Sequence, residues 1–345
     1  MVRILRKINL WVIFFTLIAY LAPYVNPHTV SFFLFVGLAF PWLLLLNMIF
    51  IGLWGLSRMK YWWYSAVCVL VGWMYLSRVV GFDFFKDQTS EKDLKVMTYN
   101  MGSIPVKGNK LFKLNDFIKN QNCDIVCAQE FATPGAYIYQ LDNVVELAKY
   151  PYKVPCEGSN IAIFSKYPIT QKGIVKFDDG NDTNGCTFAD IKIGEKIIRV
   201  YAVHLHSNSV SDLADDLAKN ADYEEGETWS KMFKMLKLVR RNAKLRAKES
   251  EKIKAHTLTS PYPVMICGDF NDIPVSYSYH VLSENLQDAF QRKGFGFGVT
   301  YNGNIPALKI DHILNDEKQF KILSCTILKE PYSDHYPIVS EMKLK

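Results

Sequence analysis

The first eighty residues leave this chain few folding options, because almost all of them are apolar. "INLWVIFFTLIAYLAPYV" (8–25) approaches the roughly 20 apolar residues that carry a helix across a bilayer core. "TVSFFLFVGLAFPWLLLLNMIFIGLWGL" (29–56) is longer than one crossing needs, and Pro41 within it predicts a kink. "YWWYSAVCVLVGWMYLSRVV" (61–80) is a third candidate, with Tyr61, Trp62 and Trp63 suited to the water interface. A cleavable signal peptide would account only for the first run, and no small-residue cleavage site follows it. Residues 1–82 are therefore expected to form a transmembrane anchor of about three helices, meeting the bilayer through residues 8–80.

Charge sets the expected orientation. Arg3, Arg6 and Lys7 favour a cytoplasmic N-terminus, and Arg58 with Lys60 hold the second short loop on the same side. The first loop, "NPH", has no Lys or Arg and is free to cross. Three crossings place everything after residue 80 on the extracytoplasmic face, making a multi-pass integral membrane protein. Residues 83–94, polar and mixed in charge, are expected to be a linker.

Beyond the linker the composition is that of a soluble domain with ample core. A net charge of +6 permits an anionic partner without requiring one. No CxxC pair or Cys/His cluster with zinc spacing occurs among the seven cysteines. Cys156 and Cys186 each precede a strand-like run, so a disulfide between them is an open expectation in an oxidising compartment.

From Lys95 short strands alternate with helices: "LKVMTYNMG", "LFKLNDFIKNQN", "CDIVCAQE", "NIAIFSKYPI", "CTFADIKIG" and "KIIRVYAVHLHS". A polar segment follows His206, acidic at first (Asp212 to Glu227) and then basic. In its second half Met232, Leu236, Val239, Ala243, Ala247, Ser250 and Ile253 recur at helical steps, predicting an amphipathic helix on a core. Its other face, Lys231 to Lys248 with Arg240, Arg241 and Arg246 between, suits solvent, phosphates or anionic lipid. Strands separated by single helices suggest two mixed sheets face to face with helices outside.

Polar residues collect where these strands end. Asn100 closes "VMTYN", Glu130 closes "DIVCAQE", and His204 lies near the end of "VYAVHLHS". Asp269 and Asn271 follow "VMICG", Asp311 and His312 interrupt "KIDHIL", and "SDHYPI" supplies Asp334 and His335. Each alone is explicable as a cap or a solvated side chain. Together they suit attack on a phosphoryl group. Glu130, helped by Asp334 or the Asn100 amide, offers the sparse oxygen set that Mg²⁺ (or Mn²⁺) accepts. Asp269 is placed to orient or deprotonate a water, Asn271 to donate to a phosphate oxygen, and a carboxylate-held histidine to meet developing charge.

"TYN", "QE", "VHL", "GDFN", "IDHIL" and "SDHYP", in that order, resemble the endonuclease/exonuclease/phosphatase superfamily, deoxyribonuclease I-like enzymes among it. The resemblance covers residues 95–345 and implies a four-layered α/β sandwich with the site at one edge of the paired sheets. It implies metal binding by Glu130, Asn100 and Asp334, and catalysis by Asp269, Asn271, His204, His335 and Asp311, the last orienting His335. Two departures stand out: Val203 precedes His204 where threonine is frequent, and His206 shares a strand face with it as a rival. His312 stands where an aromatic is frequent and is read as packing. The "PN" element of AP endonucleases is absent, which argues against abasic-site repair.

The implied activity is metal-dependent phosphodiester hydrolysis by a membrane-tethered enzyme. A nuclease-like reading draws on the basic helix face and the deoxyribonuclease-like motifs. That reading is the one expected; its alternative, a phospholipid or sphingolipid headgroup phosphodiesterase or a phosphatase at the membrane surface, draws on the anchor, with "YPY" or "FGFG" (295–298) placed to touch lipid. An inactive membrane scaffold is the alternative from another class.

Overall fold

Central strands buried on both faces dictate the architecture. The computed structural model describes residues 2–84, 92–102, 108–132, 136–157, 159–177, 184–207, 226–303 and 308–345. In chain order the strands are β1 (Val80–Phe82), β2 (Leu94–Asn100), β3 (Ile125–Gln129), β4 (Tyr152–Val154), β5 (Ala162–Ser165), β6 (Ile169–Val175) and β7 (Gly185–Ile193). They continue as β8 (Lys196–His204), β9 (Val264–Asp269), β10 (Gln287–Asp288), β11 (Phe295–Phe297), β12 (Asp311–Asn315), β13 (Phe320–Ile327) and β14 (Ile338–Leu344). One six-stranded sheet runs β10-β12-β9-β8-β7-β6, the other β13-β14-β2-β3-β5-β4. Within each, one central pair is parallel, β8–β9 and β2–β3, and its flanking pairs are antiparallel. Both sheets are therefore mixed.

Because side chains alternate across a strand, one set from each sheet meets in the middle. Val96 and Cys127 from one sheet pack there against Val200, Ala202, Cys267 and Ile313 from the other. The intervening residues face outward. Met97, Tyr99 and Val126 bury Leu114, Phe117 and Ile118 of the helix Asn109–Gln121. Tyr201, Val203 and Ile266 bury Ile253 of the helix Gly226–Leu258 and Tyr279 of the helix Tyr277–Ser283. The result is four layers, helix-sheet-sheet-helix, as the motifs implied.

That layering rules out the disulfide. Cys156 lies in the core outside one sheet and Cys186 in the core outside the other, and both are free and buried. Burial pushes the Cys156 thiol up to about 12, so it is inert as well as unpaired.

The helix Gly226–Leu258 departs from its expected faces. Ala243, Ala247, Ser250 and Ile253 are buried, but Leu236 and Phe233 are exposed. Arg246, read as part of the solvated basic face, is fully buried, its Nε 3.1 Å from Asp272 Oδ2. A paired guanidinium is one of the few charged groups a core tolerates. The acidic residues Asp212, Asp215, Asp216, Asp222, Glu224 and Glu225 lie outside the described residues.

The apolar segment forms α1 (Val2–Ala19), α2 (Phe32–Leu38), α3 (Phe40–Leu56), α4 (Trp62–Val71) and α5 (Trp73–Val79). Helix length by itself supports fewer spans than the three expected. Among the described residues only the first, Val2–Tyr24, is by itself long and apolar enough to cross a membrane, and a signal sequence would pass the same test. α2 and α3 meet at 54°, next to Pro41, which has no N–H to continue the ladder. The third run breaks at Gly72, a residue with poor helix propensity.

These helices bury several polar side chains within an apolar core and expose many apolar ones. Asn9 Nδ2 donates to Ser65 Oγ (2.7 Å), Trp54 Nε1 to Asn9 Oδ1 (3.0 Å), and Asn47 Nδ2 to Thr16 Oγ1 (2.8 Å), all buried. Trp11, Phe14, Trp42 and Leu70 are exposed. The segment does not stand apart from the sandwich. Phe40, Val36 and Tyr20 share a core with Ile273 and Val275, and β1 pairs with β11 directly before residue 83, where the linker was expected to start. Residues 85–91 of that linker lie outside the described residues.

Candidate active site

The inner faces of the strands turn polar at one edge of the sandwich. Two residues beyond Ala202, Cys267 and Ile313 along that face stand His204, Asp269 and Asp311, and the register sets them side by side: His204 opposite Asp269, Asp269 opposite Asp311. From the facing sheet, Asn100 continues the face of Val96 and Thr98. Its Nδ2 donates to Asp269 Oδ2 (3.0 Å) and to Glu130 Oε1 (3.1 Å), joining the two sheets through acids. Asn100 Oδ1 accepts from Gly102 N (3.0 Å), which fixes the amide in that sense.

Two backbone features deliver the acids. At Gly268 (φ +154) an added Cβ would lie 1.9 Å from Val203 O, so only glycine lets β9 approach β8 this closely just before Asp269. Glu130 has φ +47, an uncommon conformation for a residue with a side chain, at the turn out of β3. Its carboxylate is about a third exposed, whereas Asp269 and Asp311 are buried.

His335 Nδ1 is 2.9 Å from Asp311 Oδ2, and its Nε2 is 3.7 Å from Asp269 Oδ2. Burial opposes charge on this imidazole, but Asp311 and Asp269 outweigh it and push the pKa up to about 10. Asp269 is itself raised, by burial first and by Asp311 second, against the pull of His335 and His204. His204 Nε2 is 3.5 Å from Glu130 Oε1 and 3.8 Å from Asp269 Oδ2. Asp334 is exposed at the rim, and Ser333 Oγ ties its turn to Asn100 O (2.8 Å).

Seven of the eight residues singled out thus form one continuous set by direct contact or through Asn100: Asn100, Glu130, His204, Asp269, Asn271, Asp311 and His335. Asp334 adjoins them through Ser333. Asn271 stands differently from its expected role: its N–H donates to Asp269 Oδ1 (2.7 Å) and its amide to Leu205 O (3.0 Å), so here it clamps Asp269. His206 turns away, its Nδ1 2.9 Å from Asn184 Nδ2 and its N–H donating to Glu249. β8 ends at His204, so the strand rule that made the two histidines equivalents no longer applies.

Three residues escaped the sequence reading. Asn160 Oδ1 lies 3.2 Å from His204 Nδ1 and orients that ring. Tyr301 packs edge-on against His335 with ring centroids 5.2 Å apart. Ser333 Oγ accepts from His335 N (3.1 Å). Asn160 precedes β5, which runs antiparallel to β3, so the beginning of that strand lies at the same edge as the end of its neighbour. A search of sheet edges rather than strand ends would have found it. His312 does pack, against Phe270 and Tyr279, but it also bonds Asp288 Oδ2 (3.1 Å) beside buried Lys309.

One donor atom each from Asp269, Asp311 and His335 lie within 4.8 Å of one another, spacing that would hold a cation. Glu130 and Asp334 add carboxylate oxygens at the open side. The whole donor set is oxygen and imidazole, which suits a hard divalent ion.

Residues 97–335 match the family described as Endonuclease/Exonuclease/phosphatase family, and residues 2–79 match a domain of unknown function, DUF8431. No match was found among curated proteins. Among solved structures, sphingomyelinase C from Streptomyces griseocarneus is similar at 18% identity and TM-score 0.50, covering 73% of this chain and 99% of that one. The mannosyl-6-phosphatase Bt3783 of Bacteroides thetaiotaomicron is similar at 15% identity and TM-score 0.52, covering 72% and 99%. The human Nocturnin catalytic domain, with bound sulfate anion, is similar at 16% identity and TM-score 0.52, covering 75% and 98%.

Proposed function

Because this chain belongs to the endonuclease/exonuclease/phosphatase family, whose members are phosphoester hydrolases, we propose that it hydrolyses a phosphodiester of a lipid headgroup at a membrane surface, with Mg²⁺ or Mn²⁺. The observation that carries the choice of substrate is where the N-terminal helices dock. They pack on Ile273 and Val275, just past Asn271, and on Leu308, just before Asp311. The apolar segment therefore packs on chain segments that lead directly into and out of the site strands. A nuclease would need the lip of the site open to a long polyanion. The basic helix face that favoured nucleic acid is also partly consumed, Arg246 by Asp272 and Arg240 by Ser31. Similar folds include a sphingomyelinase, a mannosyl-6-phosphatase and Nocturnin, so the fold by itself does not select the substrate.

Residues 8–80 are proposed to lie in the bilayer as three crossings: α1, the bent pair α2–α3, and the pair α4–α5. Buried Asn9, Thr16 and Asn47 under exposed aromatic and aliphatic side chains are the inverse of a water-soluble bundle. Arg6 stacks on Tyr61 at 5.0 Å, so the basic N-terminus and the Arg58–Lys60 loop share one end. At the other end His28 Nε2 lies 3.0 Å from Lys244 O of the catalytic domain. With the basic end in the cytoplasm, the catalytic domain is extracytoplasmic.

In the reaction, Glu130 and Asp334 would hold the ion, with Asn100, expected as a ligand, instead orienting Glu130 through its Nδ2, since the other candidate trio includes an imidazole kept protonated by Asp311 and Asp269. When bound, it polarises a phosphoryl oxygen and offsets the charge that gathers there. Asp269, clamped by Asn271 and raised in proton affinity by burial, takes a proton from the attacking water. The water oxygen bonds to phosphorus as the bond to the leaving oxygen breaks, and that oxygen is protonated by solvent at the exposed Glu130 side. His335, charged and held by Asp311, donates to a non-bridging oxygen. His204, oriented by Asn160, adds a second imidazole beside Glu130 and Asp269.

The test is a substrate panel with the full chain in lipid vesicles: phosphatidylglycerol, sphingomyelin, plasmid DNA and RNA, each with Mg²⁺ or Mn²⁺. Cleavage of a lipid headgroup with intact nucleic acid is expected. Cleavage of nucleic acid alone would contradict the lipid assignment, and turnover of nothing by metal-loaded protein would revive an inactive scaffold.

A further inference from the structure

Between the helices and the sandwich lies a cavity of about 870 Å³ that the catalytic machinery does not use. α3 supplies one wall, with Leu44 and Met48, and α4 and α5 supply the other, with Val69, Leu70 and Trp73. The end nearest the catalytic domain is closed by Phe297, Gly298, Val299 and Lys309. Lys309 is the only residue of that lining with an ionisable side chain, and its ammonium is taken by Asp288 at 3.0 Å. The cavity is thus apolar apart from that one paired ammonium, and its helix residues Trp42, Met48 and Leu70 are exposed on the outer side of the helices.

We propose that this slot seats one acyl chain of a membrane lipid and so positions that lipid's phosphoester for the site, an inference that rests on the lipid-headgroup reading above. Continuity with the catalytic edge supports it. The closing segment Phe297–Val299 runs on to Thr300, whose Oγ1 accepts from Asp311 N (3.1 Å), and to Tyr301, whose ring packs on His335. Gly298 N donates to Val79 O (2.8 Å), so the end of α5 is fastened to the same segment. A chain in the slot therefore touches the peptide that carries both catalytic neighbours.

Size argues against a partner helix as occupant. A helix about 10 Å across fills such a volume in roughly two turns, far short of the roughly 20 residues of a crossing. An unbranched hydrocarbon fits a narrow slot along its length and leaves no polar group unsatisfied.

The experiment uses the unmodified full chain in nanodiscs containing phosphatidylglycerol with a diazirine on one acyl chain. After irradiation, label is expected on peptides 41–51, 66–76 and 297–299. Label spread evenly over exposed positions such as Phe14 and Phe15 would overturn the proposal, as would cross-linking to a second protein chain through these peptides. A kinetic arm follows with monomeric short-chain phosphatidylglycerols. Each methylene that enters the slot is expected to lower KM about fourfold. Ala66→Trp and Leu70→Trp, which fill the slot from different depths, are expected to flatten that dependence and to leave turnover of water-soluble bis-p-nitrophenyl phosphate unchanged. A chain-length dependence identical in wild type and both variants overturns the slot. Label in the slot together with no cleavage of any lipid leaves the slot standing and removes the lipid-headgroup function instead.

Discussion

Asp311 and His312 are neighbours on β12, and each belongs to a buried cluster of acid and imidazole, on opposite faces of the sheet. On the outer face Lys309 Nζ (3.0 Å) and Tyr279 Oη (3.0 Å) donate to Asp288 Oδ2, and His312 Nδ1 lies 3.1 Å from that oxygen and 2.8 Å from Lys309 Nζ. One acid is met by one ammonium, a neutral-leaning imidazole and a hydroxyl. Although burial alone would raise it, Lys309 and His312 hold Asp288 well below the usual carboxylate range, and burial with Lys309 keeps His312 down at about 4. Among the described residues, Asp269, Asp311, Glu130 and Asp334 on the inner face meet only His335 and His204 as potential cations, and the cluster opens to solvent at Glu130 and Asp334. The outer cluster is electrically closed and serves structure. The inner one carries excess negative charge at an open edge, with spacing that could hold a cation. Burial of charge is therefore not the mark of this site; imbalance at an open edge is.

Exchanging acid for amide in each cluster gives the sharpest contrast. Asp269→Asn should lower kcat by about 10³-fold or more while thermal unfolding stays near wild type, because the proton acceptor is lost and the fold is not. Asp288→Asn should do the opposite. It strands the Lys309 ammonium in the core, a loss of about 3–5 kcal/mol, seen as a lower denaturation midpoint with near-normal kcat for the folded fraction. Equal effects of the two on rate would erase the distinction.

The two histidines after β8 sharpen the boundary of the inner cluster. His204→Ala should cost about 10²-fold in kcat/KM, and His206→Ala only a few-fold, since His206 turns to Asn184 and Glu249. A reversal would move the working edge of β8 by two residues.

pH supplies the smallest and most specific effect. The folded state raises His335 to about 10 from an ordinary 6.5, so its contribution to stability is complete below about 6.5 and is lost as pH rises through about 10. Melting temperatures measured from pH 6 to 10.5 should fall more steeply for wild type than for His335→Gln. Parallel curves would mean that Asp311 does not hold the ring as a cation.

Much of this arrangement was legible in the sequence because side chains alternate along strands. A polar residue in register with a buried apolar set, such as Asn100 after Val96 or Asp269 after Cys267, must emerge at the sheet edge in the plane of the core. "GDFN" and "SDHYP" gave the order of the site along the chain. What stayed hidden were relations set by pairing. Asn160 reaches His204 only because β5 runs antiparallel to β3, and Lys309 finds Asp288 across a strand that the sequence shows as separate. Cys156 and Cys186 looked alike as residues before strands, yet the sheets put them on opposite outsides of the sandwich. The breaks in the apolar segment were half visible: Pro41 announced one, while Gly72 passed as an ordinary residue in a hydrophobic run.

The central claim is that the excess acid at the inner edge exists to hold a divalent ion for phosphodiester hydrolysis. A Mn²⁺ titration of bis-p-nitrophenyl phosphate turnover, run on the full-length wild type and on Glu130→Gln, tests it most directly. Turnover should start from zero in EDTA and saturate with the ion, and Glu130→Gln should move half-saturation about 10- to 100-fold higher. Undiminished turnover in EDTA, or superimposable titrations of the two proteins, would contradict it.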